Sequence, residues 1–177
     1  MSESVLKSTL ELPGQTVYYR LYRRAVPAAR RLLLCHGGGV AGRLTWEGIL
    51  PHLVHWSEIL VPDLRGTGKT HHPDQQEHAF EAEEVVDDLV ALAASHGWGN
   101  FDLGGYSYGG LVAMLLKQRL GVRVEKTYLF EPALLGRMEH AEVVASRAHL
   151  LRAAELLRDG ATEAGLEFFL DAVAPNR

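Results

Sequence analysis

Apolar residues in this chain fall into short blocks that switch between two periods. From Thr9 to Arg24, two extended runs flank Pro13-Gly14, and Thr16-Val17-Tyr18-Tyr19-Arg20-Leu21-Tyr22 is rich in β-formers, which predicts an antiparallel hairpin. Leu32 to Cys35 predicts a buried strand that runs into the glycine-rich turn His36-Gly37-Gly38-Gly39. Trp46, Ile49, Leu50 and Leu53 recur at helical spacing and predict a helix over Thr45–His55. Ile59 to Pro62 reads as the next strand, closed by Asp63 and the turn residues around Gly66 and Gly68. The clearest helix spans Phe80 to His96, where Ala82, Val85, Val86, Leu89, Leu92 and Ala93 return every three or four residues. Its early acids, Glu81, Glu83, Glu84, Asp87 and Asp88, complement the positive end of the helix dipole and read as a solvated face. Phe101–Leu103 is a short strand, Leu111–Leu120 a helix apolar nearly all round, and Lys126–Phe130 a further strand.

From Leu32 onward the order is strand, helix, strand, helix, strand, helix, strand. That alternation predicts the α/β class: a mostly parallel sheet flanked by helices on both faces, its strands joined by right-handed crossovers. After Pro132 the character changes. Glu139–Arg158 and Thr162–Val173 read as two amphipathic helices with no strand between them, a lid rather than an extension of the sheet. The expected division is therefore a core over residues 1–135 and a helical cap segment over residues 136–177.

Composition narrows the partners. The 177 residues carry 18 basic and 22 acidic side chains, a net charge of −4, and no basic block, which argues against nucleic acid. No segment approaches the roughly 20 apolar residues needed to span a bilayer. The N-terminal Met-Ser-Glu-Ser-Val-Leu-Lys lacks the basic start and apolar run of a secretory signal. With one cysteine, Cys35, at the end of an apolar strand, an intramolecular disulfide is excluded; the cytoplasm is the expected compartment and a buried hydrophobe the expected role.

The chemistry lies in Leu103-Gly104-Gly105-Tyr106-Ser107-Tyr108-Gly109-Gly110. A serine in Gly-x-Ser-x-Gly spacing, after a strand and before a helix, must sit on a tight bend, so the residues two before and two after need minimal side chains. Gly105 and Gly109 meet that need, and Ser107 becomes the candidate nucleophile. The helix that follows points free N–H groups at it. Acyl transfer needs two backbone donors at the developing oxyanion, and the candidates are the N–H groups of Gly38 and Tyr108. His36 reads as a residue that ties down its turn rather than a base.

Leu33-Leu34-Cys35-His36-Gly37-Gly38, Pro62-Asp63-Leu64-Arg65-Gly66-Thr67-Gly68 and Gly105-Tyr106-Ser107-Tyr108-Gly109-Gly110, in that order and spacing, resemble the linked signatures of the α/β-hydrolase fold family. The resemblance extends to about Leu135. It implies a serine nucleophile at the elbow after the fifth strand of an eight-stranded sheet, and a cap after the sixth. It also implies the order nucleophile, acid, histidine, with the last two beyond the cap, so the sequence reads as truncated inside that cap. Glu131, just past the sixth strand, stands where some members place the acid and many others carry an uninvolved Glu-Pro pair. His140 and His149 fall in the lid-like helices and suit packing or surface roles.

Two further patterns carry no site. Gly66-Thr67-Gly68-Lys69-Thr70 resembles the tail of a phosphate-binding loop, but Asp63 stands where the first glycine belongs. His71, His72 and His78 cluster without a definite ligand spacing, so no metal and no cofactor are expected. Two readings stay open. One is a serine hydrolase acting on a small ester or related carbonyl substrate, with the histidine supplied by a further segment or another chain. The other is a catalytically impaired homologue serving as a binding or vestigial module and prone to self-association.

Overall fold

The computed structural model describes residues 3–27, 29–76, 78–133 and 140–173. They divide into two compact units, Met1–Ala133 and Leu134–Arg177. In the first, the Pro13-Gly14 bend, with Gly14 at φ 82°, joins β1 (Glu3–Leu12) to β2 (Gln15–Arg24) as an antiparallel pair. The hairpin is longer than the sequence pattern marks, because β1 pairs along its whole length although most of its side chains are exposed. Beyond it lie β3 (Arg31–Cys35), β4 (Glu58–Pro62), β5 (Phe101–Tyr106) and β6 (Val124–Phe130). The sheet order is β1-β2-β4-β3-β5-β6, with β4-β3-β5-β6 parallel throughout, as the alternation of elements predicts.

Strand side chains alternate faces, and the core divides accordingly. Leu33, Cys35, Leu60 and Leu103 pack with Val85, Leu89, Leu92, Val112 and Leu116 in one cluster. These helical residues come from α2 (Ala82–Ser95) and α3 (Tyr108–Leu120). Leu32, Leu34, Ile59 and Val61 face the other way, onto Trp46 and Leu50. Here the structure departs from the expected helix over Thr45–His55. The helix α1 is Gly42–Trp46, followed by a turn and a single 3₁₀ turn over Leu50–His52. Gly48 weakens a continuing helix and Pro51 has no N–H to extend one, so Trp46 and Leu50 reach the core from two short pieces.

The early acids of α2 are not uniformly solvated either. Asp88 is buried and receives two hydrogen bonds from Arg65, at 3.0 and 2.9 Å, while Glu84 takes a third at 3.2 Å. Burial pushes the Asp88 carboxyl up, and the guanidinium holds it down. At the far end of the sheet, buried Asp102 accepts hydrogen bonds from Arg30 Nη2 (2.5 Å) and Trp56 Nε1 (2.8 Å). Asp102 is the register partner of Leu32, so this cluster pins β5 against β3 from below.

The second unit contains α4 (Ala141–Arg158) and α5 (Thr162–Val173). Gly160, at φ 80°, turns the chain between them, and a Cβ on Gly165 would lie 2.7 Å from Leu157 Cγ, so the two helices approach closely there. His149 stacks edge-on against Phe168, centroids 5.8 Å apart.

Arg65→Ala leaves the Asp88 carboxylate buried without its partner. We expect a loss of about 3 kcal/mol in urea unfolding, and a smaller loss than the sum of single changes when Asp88→Ala is added.

Candidate active site

After β4 the chain crosses to the other side of β3 before laying down β5, so β3 and β5 leave the sheet toward opposite neighbours. Such a switch point opens a crevice at the carboxyl ends of the strands. The two candidate segments flank it: His36–Gly39 follows β3, and Ser107 follows β5, with Cys35 paired to Gly105.

Ser107 has φ 51° and ψ −118°, a conformation that side-chain-bearing residues avoid. Tertiary hydrogen bonds hold it there. Its N–H donates to the Phe130 carbonyl at 3.0 Å, and its own carbonyl accepts from Ala133 N–H, also at 3.0 Å. The Glu131-Pro132 turn thus braces both backbone groups of the serine. Glu131 has φ 45° and an exposed side chain. The α3 helix begins at Tyr108, directly after Ser107 and three residues earlier than its apolar run predicts.

Three glycines permit this approach. A Cβ on Gly105 would overlap the Gly109 carbonyl, one on Gly109 would overlap the carbonyls of Cys35 and His36, and one on Gly110 would lie 2.8 Å from Pro132 Cα. Gly38 differs. A Cβ there would meet only Tyr108 Cβ, at an ordinary 3.8 Å. Packing alone therefore does not require glycine at 38, which lies beside the start of α3. As the first residue of α3, Tyr108 has an N–H with no intrahelical acceptor. Burial pushes the Tyr108 phenol up, so it is neutral near pH 7.

His36 is fully buried. Its Nε2 accepts the Leu64 N–H at 2.8 Å, which leaves Nδ1 to donate to the Gly37 carbonyl at 2.7 Å. Both ring nitrogens are committed to the turns, as the sequence reading holds, and burial lowers its pKa. Asp63 performs the same service for the loop after β4. Its carboxylate accepts from Gly42 N–H (2.9 Å) and Lys69 N–H (3.0 Å), and its carbonyl accepts from the Thr70 hydroxyl (2.6 Å). Cys35 is completely buried and its thiol is pushed up to about 12, which suits a packing residue.

A separate cleft of about 380 Å³ lies along the loop between β4 and α2, lined in part by Gln15, Arg65, Thr67, His71, His72 and His78. Asp74 brings His72 and His78 together there: its two carboxylate oxygens each accept from one imidazole, both at 2.8 Å. The histidines stand out in the sequence, but the joining carboxylate is easily missed because only the fold brings both rings onto Asp74. Among the described residues, no helix is long and apolar enough to cross a membrane.

A sequence model of the alpha/beta hydrolase fold family matches residues 30–147, and the chain belongs to that family. Among solved structures, it resembles a proposed epoxide hydrolase from Pseudomonas aeruginosa, with a TM-score of 0.76 at 21% identity, over 98% of this chain and 59% of that one. It also resembles a proposed lipase from Acinetobacter baumannii AYE, with a TM-score of 0.71 at 18% identity, over 94% of this chain and 53% of that one. A pyrrolizixenacetamide deacetylase from Xenorhabdus hominickii is 31% identical over 85 residues, 48% of this chain and 31% of the enzyme. The chain thus spans less than two thirds of the length of each of these proteins.

Two outcomes follow from this geometry. Ser107→Gly removes the strain of a positive φ and stabilises the fold by about 1 kcal/mol in urea unfolding, after allowing for glycine's greater chain entropy. His36, with its pKa lowered on folding, binds protons more readily when unfolded, so stability is lost as pH falls below the ordinary histidine value of about 6.5. Unfolding titrations between pH 7 and 5 read this slope, and His36→Gln reduces it, leaving the contribution of His96, whose pKa burial also lowers.

Proposed function

We propose that Ser107 is the nucleophile of a serine hydrolase that acts on a small ester or related acyl substrate. Its hydroxyl attacks the substrate carbonyl carbon, and the backbone N–H groups of Gly38 and Tyr108 receive the oxyanion as the tetrahedral intermediate forms. A histidine takes the serine proton and returns it to the leaving group; water then releases the acyl group by the same route in reverse. The observation that most supports this reading is the Ser107 backbone, held at φ 51° by Phe130 and Ala133 with Gly38 alongside the start of α3. A strained serine that costs stability is retained most economically where its hydroxyl does chemistry.

His36 is committed to the turns and is not the base. In this reading the general base, and the acid that orients it, are supplied by a further segment of the same protein or by a second chain. Glu131 suits the brace described above better than that acid role, since its turn already fixes the serine. In this reading residues 1–135 form the catalytic core, and residues 136–177, which contain the two-helix hairpin, belong to a cap segment. The acyl class agrees with the deacetylase likeness over 85 residues.

A fluorophosphonate probe tests the assignment. In the protein isolated from its native source, we expect covalent labelling at Ser107, abolished by Ser107→Ala. Gly38→Val should slow labelling by about 10²-fold, because the side chain intrudes on the oxyanion position. Absence of label where a control serine hydrolase reacts would refute the nucleophile.

A further inference from the structure

We propose that His72, Asp74 and His78 form a binding site for a borderline divalent cation, zinc foremost. The three ligand atoms, His72 Nδ1, an Asp74 carboxylate oxygen and His78 Nε2, lie within 4.8 Å of one another. Asp74 joins the rings, with Oδ1 2.8 Å from His72 Nδ1 and Oδ2 2.8 Å from His78 Nε2. The imidazoles themselves lie 4.1 Å apart, centroid to centroid. A carboxylate accepts only, so each facing nitrogen now carries a proton. A metal would take the place of those protons, with both nitrogens presenting lone pairs beside the same carboxylate.

The donor set selects the ion. Two imidazoles and one carboxylate suit zinc and its neighbours in the first transition row; magnesium and calcium prefer oxygen alone. Bond lengths of about 2.0–2.2 Å place the ligand atoms about 3.3 Å apart around a tetrahedral ion. Contraction from a 4.8 Å span is within reach of side-chain rotation, because Asp74 and His78 are exposed and His72 is half-buried. The ligands occur as His-x-Asp-x₃-His, so the chelate closes within one short loop and needs no distant partner. Three protein ligands leave the fourth position to water.

The surroundings favour a cation more than the sequence suggests. Arg65, in the same cleft, is neutralised by Asp88 and Glu84. Gln15 lines it too, and its side-chain nitrogen is buried with no partner among the described residues. Gly38, Ser107 and Tyr108 do not line this cleft, so the proposal stands apart from the serine chemistry. A bound ion would staple the loop between β4 and α2, next to the turn that Asp63 and His36 hold.

The test is equilibrium dialysis of the metal-stripped 177-residue protein against micromolar zinc, with bound metal read by mass spectrometry. We expect one equivalent, and a visible d–d spectrum of tetrahedral intensity when cobalt replaces zinc. His72→Ala, His78→Ala and Asp74→Asn should each weaken binding by about 10–100-fold, whereas His149→Ala in the second unit should leave it unchanged. Circular dichroism confirms that the variants fold; if one does not, the wild-type cobalt spectrum still decides. Wild-type protein that takes up no zinc, an octahedral cobalt spectrum, or full binding by the His72→Ala/His78→Ala double variant overturns the proposal.

Discussion

The first turn of α3 lies against the end of β3 with no side chain between them. Gly109 faces the carbonyls of Cys35 and His36, and Gly105 faces Gly109 in turn, so main chain meets main chain at van der Waals distance. A methyl group at either glycine would push the helix off the strand. Because the helix can come this close, the residue before it is forced into a bend that a longer connection would avoid, and that residue is Ser107. The Glu131-Pro132 turn then secures the bend from the side through two backbone hydrogen bonds. The bend at Ser107, the start of α3 and the proximity of Gly38 all follow from one close approach.

Buried polar groups extend this constraint to the neighbouring loops. His36 and Asp63 are almost completely buried, which is costly for groups of their polarity unless their hydrogen bonds are satisfied. Each one's bonds go mainly to backbone. His36 links the turn after β3 to Leu64, and Asp63 links the loop after β4 to Gly42 and Lys69. Arg65 carries the connection on to α2 through Asp88. The loops at this end of the sheet are therefore cross-linked to one another, and a change in one is felt in the others.

Most of the parallel core was legible in the sequence because its strands are short, apolar and followed by glycine turns. The serine bend was legible for a different reason: glycine at 105 and 109 has few uses other than backbone crowding. What escaped were features that depend on tertiary partners. The periodicity around Trp46 and Leu50 is genuine, but Gly48 and Pro51 break the helix it suggests while the same side chains still reach the core. Asp88 looks like any acid near the start of a helix until Arg65 arrives from a loop 23 residues earlier. Asp74 gains meaning only when the loop folds His72 and His78 onto it. In each case the local pattern holds one half of an interaction and the fold supplies the other.

The order of strands also bears on how the protein reaches this state. β1 and β2 meet across a two-residue bend, so their pairing closes early and at small entropic cost. Leu33 and Leu103, by contrast, are partners across 70 positions of chain, and the bend at Ser107 exists only after β5 has slotted between β3 and β6. Local helix or hairpin formation cannot assemble that bend by itself. The serine's geometry therefore depends on long-range strand pairing, and a chain that presents it has already set β5 between β3 and β6.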